Sequence, residues 1–132
     1  MEIQMTIAFW CVFVAGVMPI LWQGIAKSLI IKNFSNRSPR LSLANAEGLA
    51  KRCTWAHDNS WEAFAPFAAG VIIASIAGAD SNLIDTLALV FIVARLCYGF
   101  AYMANKSKIR SIVWFVGFLT TLALYLAGSK VI

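Results

Sequence analysis

The sequence predicts an all-α integral membrane protein, a bundle of four transmembrane helices in a single domain over 1–132. Three observations carry that reading. First, 61% of the residues are hydrophobic and 13% charged, whereas a soluble domain carries roughly a quarter charged residues, so the apolar excess is expected to face lipid. Second, the apolar residues gather in four blocks, 3–26, 63–79, 83–104 and 109–127, each close to the ~20 residues that a helix needs to cross ~30 Å of hydrocarbon. Runs such as Val71-Ile72-Ile73-Ala74 and Leu87-Ala88-Leu89-Val90 do not alternate in polarity, as transmembrane strands do. Third, the basic residues are placed unevenly. Lys27, Lys32, Arg37, Arg40, Lys51 and Arg52 crowd the first connection and Lys106, Lys108 and Arg110 the third, against Lys130 alone on the other side.

That asymmetry is the positive-inside pattern. It predicts cytoplasmic connections one and three, with both termini periplasmic or lumenal. The net charge of +5 therefore belongs to the membrane edge and gives no reason to expect nucleic acid.

The first helix is expected over 3–31. It opens on Glu2 instead of a basic stretch, and its apolar run is too long for a secretion signal and lacks a small-residue cleavage pattern. Pro19 should kink it. The segment from Asn33 to Pro39 has loop chemistry, and its two glycosylation-type sequons face the wrong compartment. The second helix is expected over 43–79, after Pro39 and Ser42. Asn45, Glu47, Lys51 and Arg52 start it outside the membrane, and Pro66 should kink it. Helices three and four are expected over 83–105 and 109–128. Gly70, Gly78, Gly99 and Gly117 suit close helix contacts, and Trp10, Trp22, Trp61 and Trp114 suit interface anchors and packing. Cys11, Cys53 and Cys97 are an odd set that gives no disulfide framework and reads as small apolar packers. Cys53 beside Arg52 leaves a reactive thiol as the alternative.

Ionisable groups inside a membrane are costly and are functional hypotheses by default. Here they are Glu62 and Arg95. Arg52, Trp55, Asn59, Glu62 and Pro66 follow a 3, 4, 3, 4 spacing, and Phe91, Arg95, Tyr98 and Tyr102 a 4, 3, 4 spacing. Each set makes one stripe on its helix. Glu62 lies ten residues beyond Arg52 and Arg95 eleven before Lys106, about 15 and 16 Å at 1.5 Å per residue. The two charges should share a level, as a pair or across a ligand, with Asn59, Tyr98 and Tyr102 towards the cytoplasm. A buried ion pair that only fixes helix register is the competing reading. His57 faces away from Glu62 and has no second ligand at metal spacing, so no metal site is expected.

Arg52, Ala56-His57, Asn59, Glu62 and Pro66-Phe67, followed by Ala94-Arg95, Tyr98, Tyr102 and Arg110, resemble the MAPEG family, the membrane-associated proteins in eicosanoid and glutathione metabolism, in its microsomal glutathione transferase form and as a bacterial-type member. The resemblance implies a homotrimer of four-helix subunits in a membrane, with a bacterial inner membrane favoured. It also implies glutathione as co-substrate in a cytoplasm-facing cleft between subunits, and membrane lipids or hydrophobic small molecules as the other partners. By position, Arg52, Asn59, Glu62, Arg95, Tyr98 and Tyr102 would line the glutathione site and Arg110 would stabilise the thiolate. Two positions depart from the pattern. Trp55 stands where many members have arginine, and Ala63 where some have tyrosine.

The residues suit the ligand. Glutathione carries two carboxylates and an ammonium, which call for arginines and a glutamate, and amides that Asn and Tyr can meet. The expected function is a glutathione-dependent transferase or peroxidase for lipophilic electrophiles. A non-catalytic lipid-binding or scaffold member is the alternative that Trp55 favours. A small multidrug-type transporter is the third reading, although such proteins carry their glutamate in helix one and a weak charge bias.

Overall fold

The computed structural model describes residues 3–30 and 34–132, and every regular element among them is helical. Helix α1 (Ile7–Ile25) runs into a π-helical turn (Ala26–Ile30). It is followed by a short α2 (Pro39–Ala44) and by α3 (Gly48–Ile76), α4 (Ser81–Met103) and α5 (Ser107–Gly128). Glu2 and Lys32 lie outside the described residues.

Local chemistry sets the helix ends. Thr6 caps α1 by accepting from the Phe9 amide at 3.2 Å, and Asp85 of α4 accepts from the Ala8 amide at 2.8 Å. Two of the amides left free at a helix start are thereby satisfied, and α1 is pinned to α4. Asp80 does the same within α4, accepting from the Leu83 amide at 2.9 Å. Gly78, expected at a helix contact, instead turns the chain between α3 and α4 with φ +77°, a conformation that glycine adopts without a Cβ penalty.

The helix expected over 43–79 is broken. Asn45 caps the end of α2, Glu47 is extended at φ −129° and ψ 165°, and Gly48, the first residue of α3, takes φ +59°. Pro39 therefore opens α2, not the long helix. Ser42 ties down the preceding loop by accepting from the Ser35 amide at 3.1 Å.

Helix α1 packs on α3 and α4, and α5 packs on the same two helices from the other side. The centre is apolar. The Phe67 and Phe91 rings stack with centroids 3.8 Å apart, and Ala15, Val71, Ala74 and Leu124 are buried around them. Trp22 is wholly buried, not at an interface, and its indole lies against Gly99, where an added Cβ would meet the ring at 2.1 Å. Gly70 likewise admits Tyr125, whose ring would be 3.1 Å from a Cβ there. Trp10, Trp61 and Trp114 are exposed, with Phe13, Ile20, Val93, Ile112, Phe115 and Leu119 among the apolar residues that face outward.

Three helices, Ile7–Ser28, Ser81–Met103 and Ser107–Gly128, are long and apolar enough to cross a membrane. Helix α3 differs because its first half holds Lys51, Arg52, His57, Asp58, Asn59 and Glu62. Its apolar part, from Ala63 to Ile76, spans only about 21 Å. Cys53 lies about 15 Å before that part and is fully buried. Burial pushes its thiol up, with Arg52 offsetting this only in part, so the alternative of a reactive thiol is not supported.

Candidate functional site

Three helices build one cavity of about 270 Å³. Its lining comes from Asn59, Glu62, Ala63 and Pro66 of α3, Phe91 and Arg95 of α4, and Trp114, Gly117, Phe118 and Thr121 of α5. Asn59, Glu62 and Pro66 reach it because their spacing keeps them on one face of α3, and Phe91 and Arg95 meet them from α4 by the same rule. Pro66 has no N–H to give the Glu62 carbonyl, which loosens α3 beside the acid. Tyr125 braces the site from α5, donating its hydroxyl to the Pro66 carbonyl at 3.0 Å.

Glu62 and Arg95 share this cavity but do not pair, and among the described residues no ion pair forms within 4.0 Å. Glu62 instead accepts from the Asn59 amide nitrogen at 3.1 Å. Arg95 is 3% exposed. Its guanidinium has one hydrogen bond, a long one of 3.5 Å to the Ser60 hydroxyl, and lies 4.2 Å from the centre of the Tyr98 ring. Ser60 is itself spent, donating to the Ala56 carbonyl at 2.7 Å. The Asn59 carbonyl oxygen is buried with no partner. Gly117 leaves the space that the arginine stem uses: a Cβ there would touch Arg95 and Phe91 at 3.8 Å.

The other expected residues stand outside the cavity lining, on the turns towards the basic loops. Tyr98 and Tyr102 meet edge to face at 5.7 Å, and the Arg110 guanidinium covers the Tyr102 ring at 4.4 Å. Trp55 lies 6.1 Å from the same ring, with the Lys51 ammonium 5.9 Å from Trp55. Arg52 points at the end of α4, donating from Nε to the Met103 carbonyl at 3.2 Å, where a cation also complements the helix dipole. Two arginines thus bracket a pair of touching rings, in the order Arg95, Tyr98, Tyr102, Arg110.

His57 lies away from this ladder. Its Nδ1 donates to the Pro19 carbonyl at 3.2 Å, a contact that sets its tautomer and joins α3 to α1. Among the described residues no cluster of His, Cys, Asp or Glu could hold a metal ion.

Sequence reasoning missed Ser60 and the α5 wall. Trp114, Gly117 and Thr121 follow a 3, 4 spacing, which is a usable signal, but nothing in α5 said which face meets Arg95. The Thr121 hydroxyl spends its proton on the Gly117 carbonyl at 3.0 Å, so towards the cavity it can only accept.

Chemically, the cavity offers an unpaired cation, an unpaired anion and a buried acceptor on one wall. A carboxylate complements the first, an ammonium the second and an N–H the third. A comparison with curated proteins finds no match. A comparison with family models matches residues 7–129, nearly the whole chain, to the MAPEG family. Together with the three membrane-length helices, this makes the chain a membrane protein. It belongs to the MAPEG family.

Proposed function

We propose that the protein is a membrane-bound glutathione-dependent transferase, with a peroxidase side activity, that acts on lipophilic electrophiles. It works as a homotrimer in which all four long helices cross the bilayer, with the basic loops cytoplasmic and both ends outside. The observation that carries the reading is the unpaired state of Glu62 and Arg95 in one cavity. A pair serving only helix register would be closed, because an uncompensated buried guanidinium is expensive.

Glutathione fits what is left open. Its ammonium answers Glu62, a carboxylate answers Arg95, and an amide N–H answers the Asn59 oxygen. The distance along α4 from Arg95 to Tyr102 is about 10 Å, and three extended residues reach about 10–11 Å, so a tripeptide covers the stripe. Arg110, at its basic end, holds the thiol as thiolate. A free thiol with a pKa of about 8.5 is mostly protonated at neutral pH, and a cation in a low-dielectric cleft favours the anion. The electrophile arrives from lipid past the apolar side of the cavity.

The test is turnover of glutathione with an aryl halide and with a lipid hydroperoxide, comparing the native protein with Arg110→Ala. A rate for the native protein no higher than for the variant removes the catalytic reading. Trp55, standing where many members have arginine, supports a second one, a non-catalytic lipid-binding member. Lipid retained in native mass spectrometry with no glutathione bound would favour it.

A further inference from the structure

We infer that Trp55 is a positioning residue that holds Arg110 over the thiol site by way of Tyr102. The inference rests on the reading of Arg110 as the thiolate's cation and adds how this chain keeps that cation in place. Arg110 is on the first turn of α5, beside a three-residue connection, and among the described residues its guanidinium rests on the Tyr102 ring, 4.4 Å from the centre. An arginine held by a ring face alone is as well placed as the ring. Tyr102 is packed on one side by Tyr98 at 5.7 Å and on another by Trp55 at 6.1 Å.

Tyr98 is buried and one turn deeper on the same helix, so its position comes with α4. Trp55 comes from α3. Among the described residues it is the aromatic contact that ties Tyr102, and with it Arg110, to the helix carrying Asn59 and Glu62. The result is a cross-helix stack of Lys51, Trp55, Tyr102 and Arg110, with cations at both ends and rings between. Trp55, half-exposed at a position where the resemblance leads one to expect arginine, thus serves as a buttress.

Among the described residues the Arg110 guanidinium lies over Tyr102, and no carboxylate comes within 4.0 Å of it; the acid of the site, Glu62, is held by Asn59. No anion among them therefore holds the guanidinium in place of the ring.

The test is the pH midpoint of thiolate formation by glutathione bound to the full-length protein, read from thiolate ultraviolet absorbance. It is measured for the native protein, Arg110→Ala, Trp55→Phe, Trp55→Leu and Trp55→Ala. In the native protein the midpoint should lie below that of free glutathione, and Arg110→Ala should raise it by about 1–3 pH units, the usual effect of losing an adjacent opposite charge. Trp55→Ala and Trp55→Leu should raise it by about one unit, a tenfold loss of thiolate at pH values below the midpoint, while Trp55→Phe keeps it near native.

If Trp55→Ala does not fold, the Phe and Leu variants decide. Equal midpoints in those two, or a native midpoint in Trp55→Ala with a raised one in Arg110→Ala, overturn the inference alone. A changed KM with an unchanged midpoint also overturns it, since Trp55 then touches the ligand directly. A native midpoint equal to that of free glutathione overturns both the inference and the thiolate reading beneath it.

Discussion

Replacing Gly99 with alanine tests the tightest contact in the bundle. A Cβ at that position would stand 2.1, 2.5 and 2.6 Å from three atoms of the Trp22 ring, where carbon atoms prefer about 3.5–4.0 Å. The ring would have to withdraw by more than about 1 Å, the difference between these separations. It has no room: Trp22 is 0% exposed and meets Phe100 edge to face at 5.4 Å. Overpacking of a filled core costs about 1–3 kcal/mol, and this case belongs at the upper end. Alanine recovers about 0.5–1 kcal/mol of helix preference over glycine, which leaves a net loss of about 2 kcal/mol. At roughly 4 °C per kcal/mol for a chain of this length, the thermal midpoint of the detergent-solubilised protein should fall by about 8 °C at a fixed scan rate. Gly24→Ala supplies the opposite sign, because a Cβ there meets nothing within 4 Å and only the helix preference changes. Adding Trp22→Phe to Gly99→Ala should recover part of the loss, since the smaller ring makes room and the indole N–H has no partner to lose. A Gly99→Ala protein as stable as the native one, or one stabilised as Gly24→Ala is, would refute this packing.

Asp85→Ala removes the cap on the Ala8 amide and should cost about 1 kcal/mol, seen as a lower midpoint in thermal unfolding, whereas Asp85→Asn keeps most of the stability. His57→Phe keeps a ring but loses the bond to the Pro19 carbonyl, and should cost about 1 kcal/mol while leaving glutathione binding unchanged by calorimetry. Arg95→Met removes a buried guanidinium with one 3.5 Å hydrogen bond. Stability without ligand should hold or rise, and the gain of about 2.7 kcal/mol expected at a hundredfold excess of glutathione over its Kd should vanish. Cys53, buried with its thiol pushed up mainly by burial, holds less thiolate at neutral pH than an ordinary cysteine. A water-soluble maleimide should leave it unmodified in the folded protein and label it once detergent denatures the bundle.

What the sequence made legible was whatever depends on a fixed rise per residue. Glu62 and Arg95 could be placed at one level by counting from Arg52 and Lys106, because each helix advances by the same amount, and both side chains do line one cavity. What escaped depends on how helices are turned against each other. The α5 wall of the cavity, the seat of Trp22 in Gly99 and the use of Arg52 on the end of α4 all need an azimuth that a single helix does not contain. The break at Asn45–Gly48 was missed for a different reason. Ala44, Ala46 and Glu47 are good helix formers, and the interruption rests on Asn45 as a C-cap, an extended Glu47 and Gly48 at positive φ.

The unpaired state of Arg95 bears on why this cavity lies among three helices and not two. Had α3 and α4 closed directly on each other, the guanidinium and the Glu62 carboxylate, at one level on facing stripes, would have met and neutralised each other. Instead Asn59 engages the carboxylate at 3.1 Å, Tyr98 lies against the guanidinium, and Gly117 of α5 gives the arginine stem room. Each of these contacts draws one charge away from the other. Glu62 is exposed, whereas Arg95 is buried, and a ring face compensates its charge far less than an ion pair would. The arrangement therefore leaves the Arg95 guanidinium open at a cost in stability, which is what the proposed glutathione site requires of it.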